Sequence, residues 1–212
     1  MPASKATSQE TAAPLVPSTR DLETLRAAAA RCRACPLWKT GTQTVFGEGG
    51  SRAKVMFVGE QPGDQEDRAG KPFVGPACRL LDDALAEAGI DRTKVFVTNA
   101  VKHFKWEPSG KRRLHKKPNA REIAACRPWL DAEIAALRPR VIVCLGATAA
   151  QALLGRDFRV TQQRGEFVPS PLAPLVMATV HPSSILRAPD DDTRHLEMRR
   201  FIADLKKVAS EI

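Results

Sequence analysis

The 212-residue chain has no apolar run long enough for a membrane. Runs such as Val141-Ile142-Val143-Cys144-Leu145 stop far short of the about 20 residues a spanning helix needs. Residues 1–17 are rich in Ala, Ser, Thr and Pro and lack the apolar stretch of a secretory signal, so a cytoplasmic protein is expected. No internal repeat is present. The Gly-rich fingerprints of Walker and Rossmann sites are missing too, since Gly59-Glu60-Gln61-Pro62-Gly63 fits neither, which argues against a nucleotide enzyme. Acidic residues are scarce in one place above all: between Lys102 and Arg121 only Glu107 stands against eight basic residues.

What is present is enough for a core. Hydrophobic residues make up 43% of the chain. One compact domain over residues 18–212, preceded by a disordered tail over 1–17, is the expected organisation. The net charge is +9, and +7 of it falls in the 102–121 segment (Lys102, Lys105, Lys111, Arg112, Arg113, Lys116, Lys117 and Arg121 against Glu107). Pro108, Ser109, Gly110 and Pro118 predict a loop there, and a basic loop suits a phosphate backbone.

Apolar, β-branched runs predict strands at 54–59, 95–98, 141–145, 166–168 and 175–180. Helices are predicted from Ser18 or Thr19 to Arg31, and over 76–88, 120–137, 147–154 and 193–209. The alternation implies an α/β protein, a three-layer α/β/α sandwich around a central, largely parallel four-stranded sheet. Ligands in such folds bind at the carboxyl ends of the strands. Three post-strand segments, Glu60-Gln61, Asn99 and His181-Pro182-Ser183-Ser184, therefore bring a carboxylate, amides and an imidazole to one edge.

Five cysteines are present. In a chain expected to be cytosolic, Cys32-x-x-Cys35 points to metal or redox chemistry, and its place ahead of the first strand favours metal. Cys126 is the best third ligand and His103 a candidate fourth, with zinc and iron–sulfur both open at this level. Cys78 and Cys144 read as small core hydrophobes.

The ordered set G-E-Q-P-G, G-K-P-F-V-G-P, T-N-A-V-K and H-P-S-S-I-L-R resembles the motifs of the uracil-DNA glycosylase superfamily, and is closest to its iron–sulfur family 4. The K-R-R-L-H stretch at 111–115 is similar to the K-R-R-I-H loop of the UdgX group, whose members become covalently linked to the DNA they process. The resemblance covers about residues 20–210. It implies uracil-containing DNA as partner, preferentially single-stranded, met by a monomer.

Under this resemblance Phe73 stacks on a flipped uracil and Asn99 reads its polar edge. Taken alone, they would pass for a core phenylalanine and a turn asparagine. His181 stabilises the departing base, and Glu60 stabilises the sugar cation or orients a nucleophile. Gln61, Arg113, Ser183, Ser184 and Arg187 contact the substrate. His115 captures the sugar cation, tying protein to DNA. Family 4 enzymes usually carry a cysteine where this chain has Val101-Lys102-His103-Phe104-Lys105. The implied ligands of a [4Fe–4S] cluster are therefore Cys32, Cys35, His103 and Cys126. A conventional family 4 glycosylase using water, and a non-catalytic nucleic-acid-binding protein with a structural metal, are the alternatives.

Overall fold

The computed structural model describes residues 11–212. In chain order the helices are α1 (Leu22–Ala29), α2 (Asp64–Ala69), α3 (Pro76–Ala88), α4 (Ala120–Leu137), α5 (Ala147–Leu154), α6 (Val160–Gln163), α7 (Pro182–Leu186) and α8 (Asp191–Ala209). The strands are β1 (Glu48–Gly49), β2 (Val55–Gly59), β3 (Val95–Asn99), β4 (Trp106–Ser109), β5 (Arg112–His115), β6 (Val141–Leu145), β7 (Phe167–Val168) and β8 (Leu175–Thr179). Among the described residues no helix is long and apolar enough to cross a membrane.

The sheet has six strands, in the order β1-β3-β2-β6-β8-β7. Its four central strands are parallel, as the sequence implies, and two-residue antiparallel strands close both edges. The β7 edge falls within the strand expected at 166–168, whereas β1, with two residues, is too short to carry a pattern and was not expected. Alternate residues of β2 feed opposite layers. Val55 and Phe57 pack with Leu81, Leu85, Phe201 and Leu205 of α3 and α8. Met56 and Val58 pack with Leu130 and Ile134 of α4 and with Ala149 and Ala150 of α5. Helices thus cover both faces, the arrangement that lets a parallel sheet be apolar on each side.

Three expectations need correction. Residues 1–10 of the expected tail lie outside the described residues, but 11–17 pack on the domain: Ala12 is buried and its N–H donates to the Ala125 carbonyl at 2.9 Å. Helix α1 is capped by Asp21, whose carboxylate accepts the Thr24 N–H at 2.8 Å, so the helix starts later than Ser18 or Thr19 would place it. The basic segment is largely not a loop. β4 and β5 form a separate antiparallel hairpin, and Gly110 at its turn has a φ of +58° that glycine adopts without strain.

Cys144 lies in the core and Cys78 packs at its margin, as expected. Cys32, Cys35 and Cys126 share a third buried cluster with Leu25, Ala29 and Trp129, where the N-terminal segment meets α4.

Candidate active site

The parallel register sets the carboxyl ends of β2, β3, β6 and β8 side by side. Glu60 and Gln61 follow β2, Asn99 ends β3, and His181 lies two residues past β8. Gly59 and Asn99 are register partners, and a Cβ on Gly59 would stand 2.3 Å from Asn99 Oδ1 and 3.2 Å from Phe73 Cζ. Glycine is required there because the carboxamide and the ring both occupy that space. Asn99 is buried, and its Nδ2 has no hydrogen-bond partner among the described residues. Leaving a buried amide donor unmatched is costly, so a polar ligand edge is the natural complement.

Phe73 forms a wall of the same recess, its ring centroid 6.5 Å from that of His181. Its φ of +54° is unusual for a bulky residue, and the Glu66 carboxylate holds the turn by accepting the N–H groups of Phe73 and Gly63. Burial pushes the Glu66 carboxyl up despite those bonds.

His181 caps α7. Its Nδ1 accepts the Ser183 N–H at 3.1 Å and lies 2.8 Å from the Ser183 hydroxyl, which leaves the ring proton on Nε2. Burial pushes its pKa down to about 4, with Arg187 and His115 adding to the effect against Glu60, so the ring is a neutral donor at pH 7. The Ser184 hydroxyl donates back to the His181 carbonyl at 2.7 Å, and Arg187 is exposed at the end of α7.

Glu60 divides its oxygens. Oε1 lies 2.9 Å from His115 Nε2, and Oε2 accepts the Thr148 hydroxyl. Burial pushes the carboxyl up, but the hydrogen bonds from His115 and Thr148 and nearby positive charge outweigh this and hold it below the usual value. The pair brings a carboxylate and a half-exposed imidazole together beside the Asn99 recess. Thr148 escaped the sequence reading. It lies three residues past β6, in the first turn of α5, so the fourth strand end was the signal to use.

Two residues expected at the substrate have side chains engaged within the protein. Gln61 is buried, and its side chain clamps the base of the hairpin: Nε2 donates to the Lys105 and Lys116 carbonyls and Oε1 accepts the Lys105 N–H, each at 3.1 Å. The same Nε2 lies 3.3 Å and 3.4 Å from the two ring nitrogens of His115. Arg113 points inward. It pairs with Asp64 and with the fully buried Asp67, and its guanidinium stands over Phe104 and Trp106 at 5.3 and 5.5 Å. Both side chains are thus engaged in holding the hairpin that carries His115. Lys102 is fully buried against Glu133, and Lys105 and Lys116 pair with Glu122 and Glu107. Within the 102–121 segment the cations left exposed and without an ion pair among the described residues are Lys111, Arg112, Lys117 and Arg121.

Around the cysteines, burial pushes the Cys126 thiol up to about 12 and also raises Cys35. Thr44 donates its hydroxyl proton to the Ala29 carbonyl at 3.0 Å, so its oxygen accepts His103 Nε2–H at 3.0 Å. That leaves the lone pair on Nδ1, and burial lowers the His103 pKa against the opposing charge of Asp67. Among the described residues no three His, Cys, Asp or Glu side chains converge as ligands of a single metal ion.

The sequence profile of the Uracil DNA glycosylase superfamily matches residues 46–206. The chain is 40% identical to a type-4 uracil-DNA glycosylase of Thermotoga maritima over 184 residues, 86% of this chain and 90% of that relative. A type-4 uracil-DNA glycosylase of Pyrobaculum aerophilum is 39% identical over 176 residues, 80% of this chain and 86% of its own. A type-5 uracil-DNA glycosylase of the same organism is 30% identical over 180 residues, 77% and 74% of the two chains. With the strand-end residues in the matched span, the chain belongs to the uracil-DNA glycosylase superfamily.

Proposed function

We propose that this protein excises uracil from DNA and is then joined to the abasic sugar through His115. The observation that carries the capture step is the 2.9 Å contact between His115 Nε2 and Glu60 Oε1 at the recess formed by Asn99, Phe73 and His181. Asn99 reads the uracil edge and Phe73 stacks on the ring. When the C1′–N1 bond breaks, its electron pair leaves with uracil, and His181 Nε2–H stabilises the charge on the base oxygen. Glu60, held ionised, faces the cationic sugar. The unprotonated nitrogen of His115 gives its lone pair to C1′, and the proton on the other nitrogen passes to Glu60 or water. Single-stranded uracil-DNA, engaged by a monomer, suits the exposed cations of the hairpin.

Cys32, Cys35, His103 and Cys126 are proposed to hold a [4Fe–4S] cluster. Three thiols in one buried cluster and a neutral imidazole with its lone pair on Nδ1 fit the donor set. Such a cluster gives each iron its own protein ligand, so the side chains need not converge on one point. Bound metal would keep the thiols as thiolates in a site that otherwise protonates them. Its role is to fasten the N-terminal segment to α4 and to the base of the hairpin.

A second reading is favoured by the type-4 names of the relatives: Glu60 orients water, and the enzyme turns over. Incubation with uracil-containing single-stranded DNA followed by a denaturing gel separates the two. A heat-stable adduct, mapped to His115 by peptide mass spectrometry, supports capture. Multiple turnovers of free uracil with no adduct, or attachment at another residue, overturn it.

A further inference from the structure

Lys102 follows Asn99 by three residues, yet its side chain is wholly buried, unlike most cations of its segment. Nζ donates to Thr98 Oγ1 at 2.6 Å, to the Asn99 carbonyl at 2.8 Å and to Glu133 Oε2 at 2.6 Å. These partners use all three ammonium protons. Glu133, on α4, is also fully buried; its Oε1 accepts the Gly47 N–H at 2.9 Å, and Thr98 donates its hydroxyl proton to the same carboxylate. The Lys102 amide donates to Cys126 Sγ at 3.2 Å.

A buried ion pair is weak evidence for stability, because apolar residues of similar volume often serve as well. This pair does something apolar residues cannot: it gives the Asn99 carbonyl a fixed partner where the strand ladder ends. The next two amides, of Ala100 and Val101, donate to the Gly59 and Glu60 carbonyls, so the chain leaving β3 is tied to β2 immediately after Asn99. The Asn99 carboxamide has an Nδ2 with no partner among the described residues, so its aim is set by its own backbone and by packing on Gly59.

We propose that Lys102 is a positioning residue for uracil recognition: its ammonium fixes the Asn99 peptide, and through it the carboxamide that meets the base. This rests on Asn99 being the uracil reader.

Lys102→Met alone would strand the Glu133 charge, so the informative variant is Lys102→Met with Glu133→Gln. In it the glutamine still accepts the Gly47 N–H and meets Thr98. The purified full chain is assayed for melting temperature, binding to uracil-free DNA of the same sequence, inhibition by free uracil, and single-turnover excision. The double variant is expected to melt modestly below the wild type, because the Asn99 carbonyl loses its donor, and to bind uracil-free DNA like the wild type. Free-uracil inhibition and single-turnover excision should each weaken by about tenfold, the scale of one charged hydrogen bond. Asn99→Ala is the control. Should it excise uracil at the wild-type rate, the reading of Asn99 fails and the proposal with it. If Asn99→Ala is impaired while the double variant keeps wild-type uracil inhibition and rate, the role of Lys102 alone is overturned. A parallel loss of stability, DNA binding and uracil binding also overturns it, since that is the mark of a merely structural pair.

Discussion

Each oxygen of Glu60 has its own partner, His115 on one side and Thr148 on the other, so the carboxylate cannot turn away from the site. His115→Ser should abolish the DNA adduct and keep uracil excision, because departure of the base and capture of the sugar are separate events and water can fill the vacated space. A denaturing gel and a free-uracil assay on the same samples check both halves. Thr148→Val should slow adduct formation about tenfold by freeing the carboxylate, with DNA affinity unchanged. His181 supplies a pH signature. Its folded pKa is depressed from 6.5 to about 4, so between these values the unfolded chain binds the extra proton. Its contribution to stability is therefore complete above pH 6.5 and is lost as the pH falls toward 4. His181→Gln should flatten that part of the acid limb in denaturant titrations and leave a slower enzyme. Glu60, Asn99 and His181 were legible because strand ends in parallel sheets converge. Arg113 and Lys102 were not: a charge count cannot see that their carboxylates wait 46 and 31 residues away in the chain.

The hairpin β4–β5 is the element that carries His115 to Glu60. Arg113 spans two carboxylates with one guanidinium, a geometry that lysine does not reproduce. Arg113→Met should cost about 3 kcal/mol, since it leaves the buried Asp67 without its cation, and Arg113→Lys should recover only part. Urea denaturation measures both. The exposed cations act differently. Neutralising Lys111, Arg112 and Lys117 should flatten the slope of log affinity against log salt by roughly 0.7 per charge that meets a single-strand phosphate. Neutralising Lys105, already paired with Glu122, should leave that slope unchanged. Helices with strong end signals were legible to the residue. α3 opens at Pro76 and stops before Gly89, and α4 has the Asn119/Glu122 capping box. The hairpin was not, because Pro108, Gly110 and dense charge are loop signals, and its pairing is stabilised by an inward arginine and two aromatic rings rather than by an apolar face. Helix α2, with the polar sequence Asp-Gln-Glu-Asp-Arg-Ala, likewise has no apolar stripe to reveal it.

Over the whole molecule, three buried clusters divide the work: two sandwich the sheet and the third gathers Cys32, Cys35 and Cys126 with the N-terminal segment. The purified protein should be brown and carry about four irons per chain, the stoichiometry of a [4Fe–4S] site. Cys35→Ser should lose iron and solubility, whereas Cys144→Ser, at the sheet, should keep its iron. Metal analysis decides, and zinc in place of iron would rule out the cluster. On iron removal, amide exchange should rise first between Ala12 and Leu37 while β2 and β6 stay protected. The hairpin stands outside this division, since its two strands pair only with each other and share no ladder with the six-stranded sheet. Side-chain clamps from Gln61, Arg113 and Trp106 attach it to the rest. In terms of descent, such a ribbon is a separable module. A lineage can lengthen, trim or rewrite it by insertion and deletion without disturbing the register of any sheet strand. The strand-end recess and the ribbon that carries His115 are thus free to evolve at different rates.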